Sequence, residues 1–268
     1  MRYYISDLHF FHKGMNDKMD CRGFASVEEM NETMLRKWNE KVNRGDEVVI
    51  LGDLSFGTAK ETNELLKQLN GKLYMIYGNH DRYINSHGFD SYRFRWIKPY
   101  AEMSDNGRKV VLSHYPIFCY NGQYKTDAEG NPTTYMLYGH VHNSYDEVLI
   151  NQFINITRQS KRQLMGKEGL HHIPCSMINC FCMFSDYTPL SLDEWIEVDR
   201  ARREKLTRDV EAGCYTCTGA EDTDIEELEG GEYGRENFGE NNGEAFGDNS
   251  GAVCGENNGE ITGGNDYE

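Results

Sequence analysis

The chain has 268 residues, 38% hydrophobic and 27% charged, enough for one good-sized core or two small ones. Its formal charge of −16 is uneven: residues 221–268 carry 15 acidic residues and one basic residue, leaving 29 acidic against 27 basic in residues 1–220. That near-neutral body lacks the cation-rich footprint of a nucleic-acid binder, and no run of 18 apolar residues is present to span a membrane.

Residues 2–6 (RYYIS) are aromatic and β-branched and predict a first strand. No secretion signal is visible, so a cytoplasmic protein with reduced thiols is expected despite eight cysteines. Ser26 and Glu29 have capping-box spacing, and Val27, Met30, Met34, Leu35, Trp38 and Val42 follow at helical intervals, predicting a helix that stops at Arg44-Gly45-Asp46. Residues 47–51 (EVVIL) read as a buried strand, Lys60 to Leu69 as a second helix, and residues 73–77 (LYMIY) as the next strand. Val110 to Ser113 and Thr134 to Tyr138 fit further strands, and Ser144 to Arg162 a helix. Residues 177–184 (MINCFCMF) resemble a buried strand, and Ser191 with Glu194 opens a helix from Leu192 to about Ala212.

Composition changes after residue 219. Gly, Asn and Glu dominate residues 220–268, and GENNGE recurs at 239–244 and 255–260. Such a segment buries too little apolar surface to offset its ordering entropy, so a disordered acidic tail is expected; binding of a basic partner is the functional alternative. The domain division is therefore 1–219 and 220–268.

The unusual polar residues fall where predicted strands end. Asp7 and His9 follow the first, Asp53 the second, and Asn79, His80 and Asp81 the third; His114 ends the fourth, and His140 and His142 follow the fifth. In open α/β sheets ligands gather at the carboxyl ends of strands, so these clusters should converge. Two Asp, four His and one Asn suit Mn²⁺, Fe, Zn²⁺ or Ni²⁺ better than Ca²⁺ or Mg²⁺. Residues two apart in extended backbone point the same way, which lets Asp7 with His9, and His140 with His142, present paired ligands. Glycines precede Asp53, Asn79 and His140, removing bulk beside the site. Each piece alone has an ordinary explanation, a turn or a satisfied core histidine; five in this order are those of a metal site.

The series DLH, GD, GNHD, SHYP and GHVH resembles the calcineurin-like metallophosphoesterase superfamily, and especially small bacterial and phage-borne members with a DYTP stretch, here Asp186-Tyr187-Thr188-Pro189. The likeness runs over residues 1–199. It implies a four-layer α/β/β/α sandwich with two divalent metal ions at one sheet edge. It further implies that Asp7, His9, Asp53 and His142 hold one ion, that Asp53, Asn79, His114 and His140 hold the other, and that Asp53 bridges them. His80 matches the family's non-ligand catalytic histidine, as general acid or charge stabiliser, with Asp81 orienting it. Water activated between the ions would then attack phosphorus.

His12 and Arg22, near the first motif, are candidate substrate contacts or ordinary loop polarity; Arg82 could contact substrate or make a surface salt bridge. Phe10-Phe11 stands where many relatives have a glycine, so substrate contacts do not carry over from them to this stretch. Residues 115–133, with Tyr115, Phe118, Tyr120 and Tyr124, form a loop suited to substrate selection or to packing on itself. His171, His172 and Cys175, and the pair Cys214 and Cys217, lack a second pair at zinc-site spacing. A small phosphate ester is the expected substrate. A metal-dependent nuclease is the alternative, and a non-catalytic scaffold of the same fold fits less well because every ligand position is filled.

Overall fold

The computed structural model describes residues 1–166 and 168–211. The expected disordered tail, the domain boundary at 219 and the Cys214–Cys217 pair lie outside the described residues.

Strand β1 (Arg2–Ile5) pairs in parallel with β2 (Glu47–Leu51), β2 with β3 (Lys72–Ile76), and β3 with β4 (Phe94–Lys98). A second sheet has β5 (Tyr100–Asp105) antiparallel to β6 (Arg108–Ser113), which runs parallel to β7 (Thr134–Tyr138), itself parallel to β10 (Met177–Asn179). A separate hairpin joins β8 (Lys161–Gln163) to β9 (Leu170–His172).

Strand alternation sorts the apolar residues into three cores. Tyr3, Ile5, Val48, Ile50, Leu73 and Met75 face outward from the first sheet. They meet Met30, Met34 and Trp38 of α1 (Val27–Lys41) and Leu65 and Leu66 of α2 (Ala59–Gln68). The alternate residues Tyr4, Val49, Leu51 and Ile76 face the second sheet and pack on Val110, Leu112, Leu137 and Ile178. On the far side, Val111, Met136 and Tyr138 meet Ile150 and Ile154 of α3 (Tyr145–Gln159). The layers are therefore α/β/β/α, as the family resemblance implied. Helix α4 (Leu192–Glu211) buries Leu192 and Trp195 in the inter-sheet core, and the Trp195 indole N–H donates to Tyr4 O at 2.8 Å. No described helix is long and apolar enough to cross a membrane.

Three sequence expectations need correction. The run 177–184 is not one strand: β10 stops at Asn179, and Cys182–Ser185 is a 3-10 turn. Phe181 leaves the second sheet to bridge Ser6, beyond the end of β1, which joins the two sheets at that end. The helix expected to reach Arg162 stops at Gln159, and 161–163 pair in the hairpin instead. At the start of α1, Ser26 accepts from Glu29 N–H as expected, but the Glu29 carboxylate reaches back to Ala25 N–H.

Candidate metal centre

The backbone continues to pair beyond the strand ends, which fixes the loops that carry the polar residues. Asp7 N–H donates to Gly52 O at 3.1 Å, His9 N–H to Asp53 O at 2.9 Å, and Gly139 N–H to His114 O at 2.9 Å. Five of the seven expected ligand residues turn their side chains inward by adopting left-handed backbone: Asp7 (φ 55), His9 (φ 48), Asp53 (φ 53), His140 (φ 72) and His142 (φ 46). Such conformations cost about 1–3 kcal/mol each for non-glycine residues and concentrate at functional sites. Close approach sets the glycines. A Cβ on Gly78 would meet Asp53 Oδ1 at 2.2 Å, and one on Gly139 would meet Asp7 Oδ2 at 2.5 Å.

Two donor groups result: Asp7, His9 and His142, and Asp53, His114 and His140, each with its ligand atoms within 4.8 Å of one another. Asn79 joins the second group, its Oδ1 lying 3.0 Å from both His114 Nε2 and His140 Nδ1. Asp53 Oδ2 lies 3.6 Å from His9 Nε2 and 3.4 Å from His114 Nε2, so it touches both groups.

The donor chemistry fits cations. Asp7 and Asp53 are buried, 0% and 1% exposed, and neither forms an ion pair with Lys or Arg among the described residues. Burial alone would lower the His142 imidazole, but Asp7 and Asp20 outweigh it and hold it up at about 10. For His114 the same opposition, with Asp53 and Asp7 prevailing over burial, gives about 9. His9 is pushed down to about 3, by burial first. A neutral His9 faces His142 across 3.2 Å, Nε2 to Nε2, while its own buried Nδ1 has no partner. Both outer nitrogens of the other two buried rings are occupied: His142 Nδ1 meets Asp20 Oδ1 at 2.7 Å, and His114 Nδ1 meets Leu51 O at 2.8 Å. With a proton held at Nδ1 on that outer side, each Nε2 faces inward, and a cation binding there would displace the proton that the metal-free ring carries on it.

The other expected residues divide. His80 is half-buried, its N–H donates to Asp53 Oδ1 at 2.9 Å, and its ring lies 5.4 Å from that of His9. His12 reaches the rim, its ring 5.8 Å from His9. The carboxylate of Asp81 is taken up by the backbone N–H groups of Asp53, Leu54 and Gly78 at 2.7–2.9 Å, so it ties two ligand loops together rather than meeting the His80 ring. Arg22 is buried, donating to Leu8 O, Asp7 O and Asp20 Oδ2; it braces the loop after β1 and has no donor turned toward a substrate. Arg82 is exposed at the start of a 3-10 turn and makes no ion pair among the described residues. The structure adds Asp20, which holds both His142 and Arg22. Its only trace in the sequence is a carboxylate two residues before Arg22. His171 and His172, on the β8–β9 hairpin, bond to the backbone carbonyls of Glu168 and Arg158, and no further metal-binding group occurs among the described residues.

A four-layer sandwich with two adjacent donor groups at its strand ends fits a dinuclear metallophosphoesterase. The profile of the calcineurin-like phosphoesterase family matches residues 3–175, and the chain belongs to that family. An uncharacterized protein of Methanocaldococcus jannaschii is 35% identical over 194 residues, covering 71% of this chain and 86% of that protein. The gene 66 protein of Mycobacterium phage L5 is 37% identical over 83 residues, 30% of this chain and 39% of that one. Among solved structures, a protein of unknown function from Aquifex aeolicus aligns with a TM-score of 0.45 at 22% identity, covering 74% of this chain and 98% of its own.

Proposed function

We propose that the chain is a dinuclear metal-dependent hydrolase of a small phosphate ester, diester or monoester. The carrying observation is the position of Asp53 Oδ2, 3.6 Å from a nitrogen of one donor group and 3.4 Å from a nitrogen of the other. A single carboxylate shared in this way would serve both of two adjacent cations. Divalent ions bound there would supply activated water and neutralise charge on the phosphoryl oxygens. Mn²⁺ is the ion we propose for assay, within the set that mixed imidazole and oxygen donors suit.

The chain's own groups do the positioning. His80 is outside both donor groups yet beside them, and its backbone is pinned to the shared carboxylate. Its ring would donate a proton to the leaving oxygen or stabilise the phosphoryl charge. The Asp81 carboxyl, pushed up to about 6 by burial and then by Asp53, keeps the Asp53 and Gly78 loops in register. The near-balanced charge of residues 1–220 favours a small substrate over nucleic acid.

The test is hydrolysis of bis-p-nitrophenyl phosphate and p-nitrophenyl phosphate by metal-stripped and Mn²⁺-reloaded protein. Activity that returns only with metal is expected, and the preferred ester separates diesterase from monoesterase. A fully loaded protein inert toward both would refute the reading, and salt-sensitive retention on a DNA column would replace it with the nuclease.

A further inference from the structure

Phe56 is a large apolar side chain left 52% exposed on pinned backbone. Its N–H donates to Phe10 O at 2.9 Å, and the preceding Ser55 forms a bridge with Phe10. Two rings of the site border it, His12 at 4.1 Å and His80 at 5.9 Å between centroids. His12 is fixed in turn, its Nδ1 accepting from Met15 N–H at 3.2 Å. An isolated exposed aromatic is ordinary. One carried on pinned backbone beside a candidate metal site, against the ring of His80, is placed to cover an apolar face of what enters.

His80 also gives the site a direction. If it delivers a proton to the leaving oxygen, the leaving group lies on its side, and Phe56 forms the wall there. The flank beside the second donor group belongs to Tyr115, 49% exposed, whose ring is 4.4 Å from His140. We infer that Phe56 selects the leaving group by stacking on the planar base of a nucleoside, so that the substrates are nucleoside phosphate esters. The inference rests on the hydrolase reading and names its substrate class.

Stacking of a base on an aromatic side chain is worth about fivefold to hundredfold in binding. The experiment compares adenosine 5′-monophosphate with ribose 5-phosphate, and the methyl diesters of both, on Mn²⁺-loaded protein. Within each pair the ester is formed by the same primary 5′-oxygen, and the two members differ in the base. Bis-p-nitrophenyl phosphate reports whether the site is active at all. The nucleotide member should be preferred in kcat/KM by about tenfold. Phe56→Leu, which keeps apolar bulk without a ring, should bring that ratio close to one, with the loss falling on the nucleotide and metal content retained. Phe56→Tyr should keep the preference. Hydrolysis without a base preference, an equal loss on both members in Phe56→Leu, or inertness toward all four while the generic diester is cleaved would each overturn the inference alone. Inertness toward the generic diester as well would overturn the hydrolase reading and the inference with it.

Discussion

His142 offers Nε2 to the site because its Nδ1 is held by Asp20 Oδ1, 2.7 Å away. Asp20 is held in place by Arg22, whose remaining donors grip the carbonyls of Asp7 and Leu8. A ligand's orientation thus depends on a carboxylate that is not itself in either donor group. Outer partners of this kind typically govern about ten- to hundredfold in metal affinity. Asp20→Asn should therefore weaken metal binding by about that factor in a chelator-competition titration while the protein stays folded; unchanged affinity would remove Asp20 from the support of His142. His80 calls for the opposite result. It lies outside both donor groups, so His80→Asn should retain metal content and lower kcat about 10²–10⁴-fold. Normal turnover in that variant would take His80 out of the reaction. The seven candidate ligand residues were legible in the sequence because each stands in a short motif beside a strand. Asp20 was not, because its partner is 122 residues away and the loop between them in space has no periodicity to read.

The strand-end loops work as elements rather than as single residues. Two of them meet at Asp53: its Oδ1 accepts from His80 N–H, and its N–H is held by Asp81, which also holds Gly78. Gly78 leaves no room for a side chain, since an added Cβ would fall 2.2 Å from Asp53 Oδ1. Gly78→Ala must displace the carboxylate shared by both donor groups. The expected outcome is a folded protein with metal content reduced at both positions, read by circular dichroism and metal analysis on the same sample; full metal content would show that the loop yields more easily than the contact implies. The central elements could be read because their apolar runs are buried on both faces, as in β2 and β7. Strands β4 and β5 could not. They end their sheets and carry exposed or half-exposed Arg95, Lys98, Tyr100 and Glu102, so each breaks the apolar pattern of a central strand. The run from Met177 misled for the converse reason. Its apolar character is continuous, but Phe181 packs on His142, 4.6 Å between stacked rings, after the strand has ended.

Across the whole molecule, the site is placed where the two sheets join through the Ser6–Phe181 bridge, over the core of each. Asp7 and Asp53 are buried there with no Lys or Arg partner among the described residues, and only the site's histidines offset the opposition to folding that a buried carboxylate brings. Cations bound to the folded state alone would relieve that opposition and stabilise by mass action, by about 2.7 kcal/mol at a free metal concentration one hundred times the dissociation constant. For a domain of this size each kcal/mol moves the midpoint by about 2–4 °C, so stripping the metal should lower Tm by roughly 5–11 °C. Scanning calorimetry with Mn²⁺ and with chelator measures the difference. Asp53→Asn supplies the control that ties the effect to the site: without the shared carboxylate, the two traces should coincide. A wild-type Tm indifferent to chelator would mean that the buried carboxylates are satisfied by the histidines alone, and that the two donor groups form a hydrogen-bonded cluster rather than a cation site.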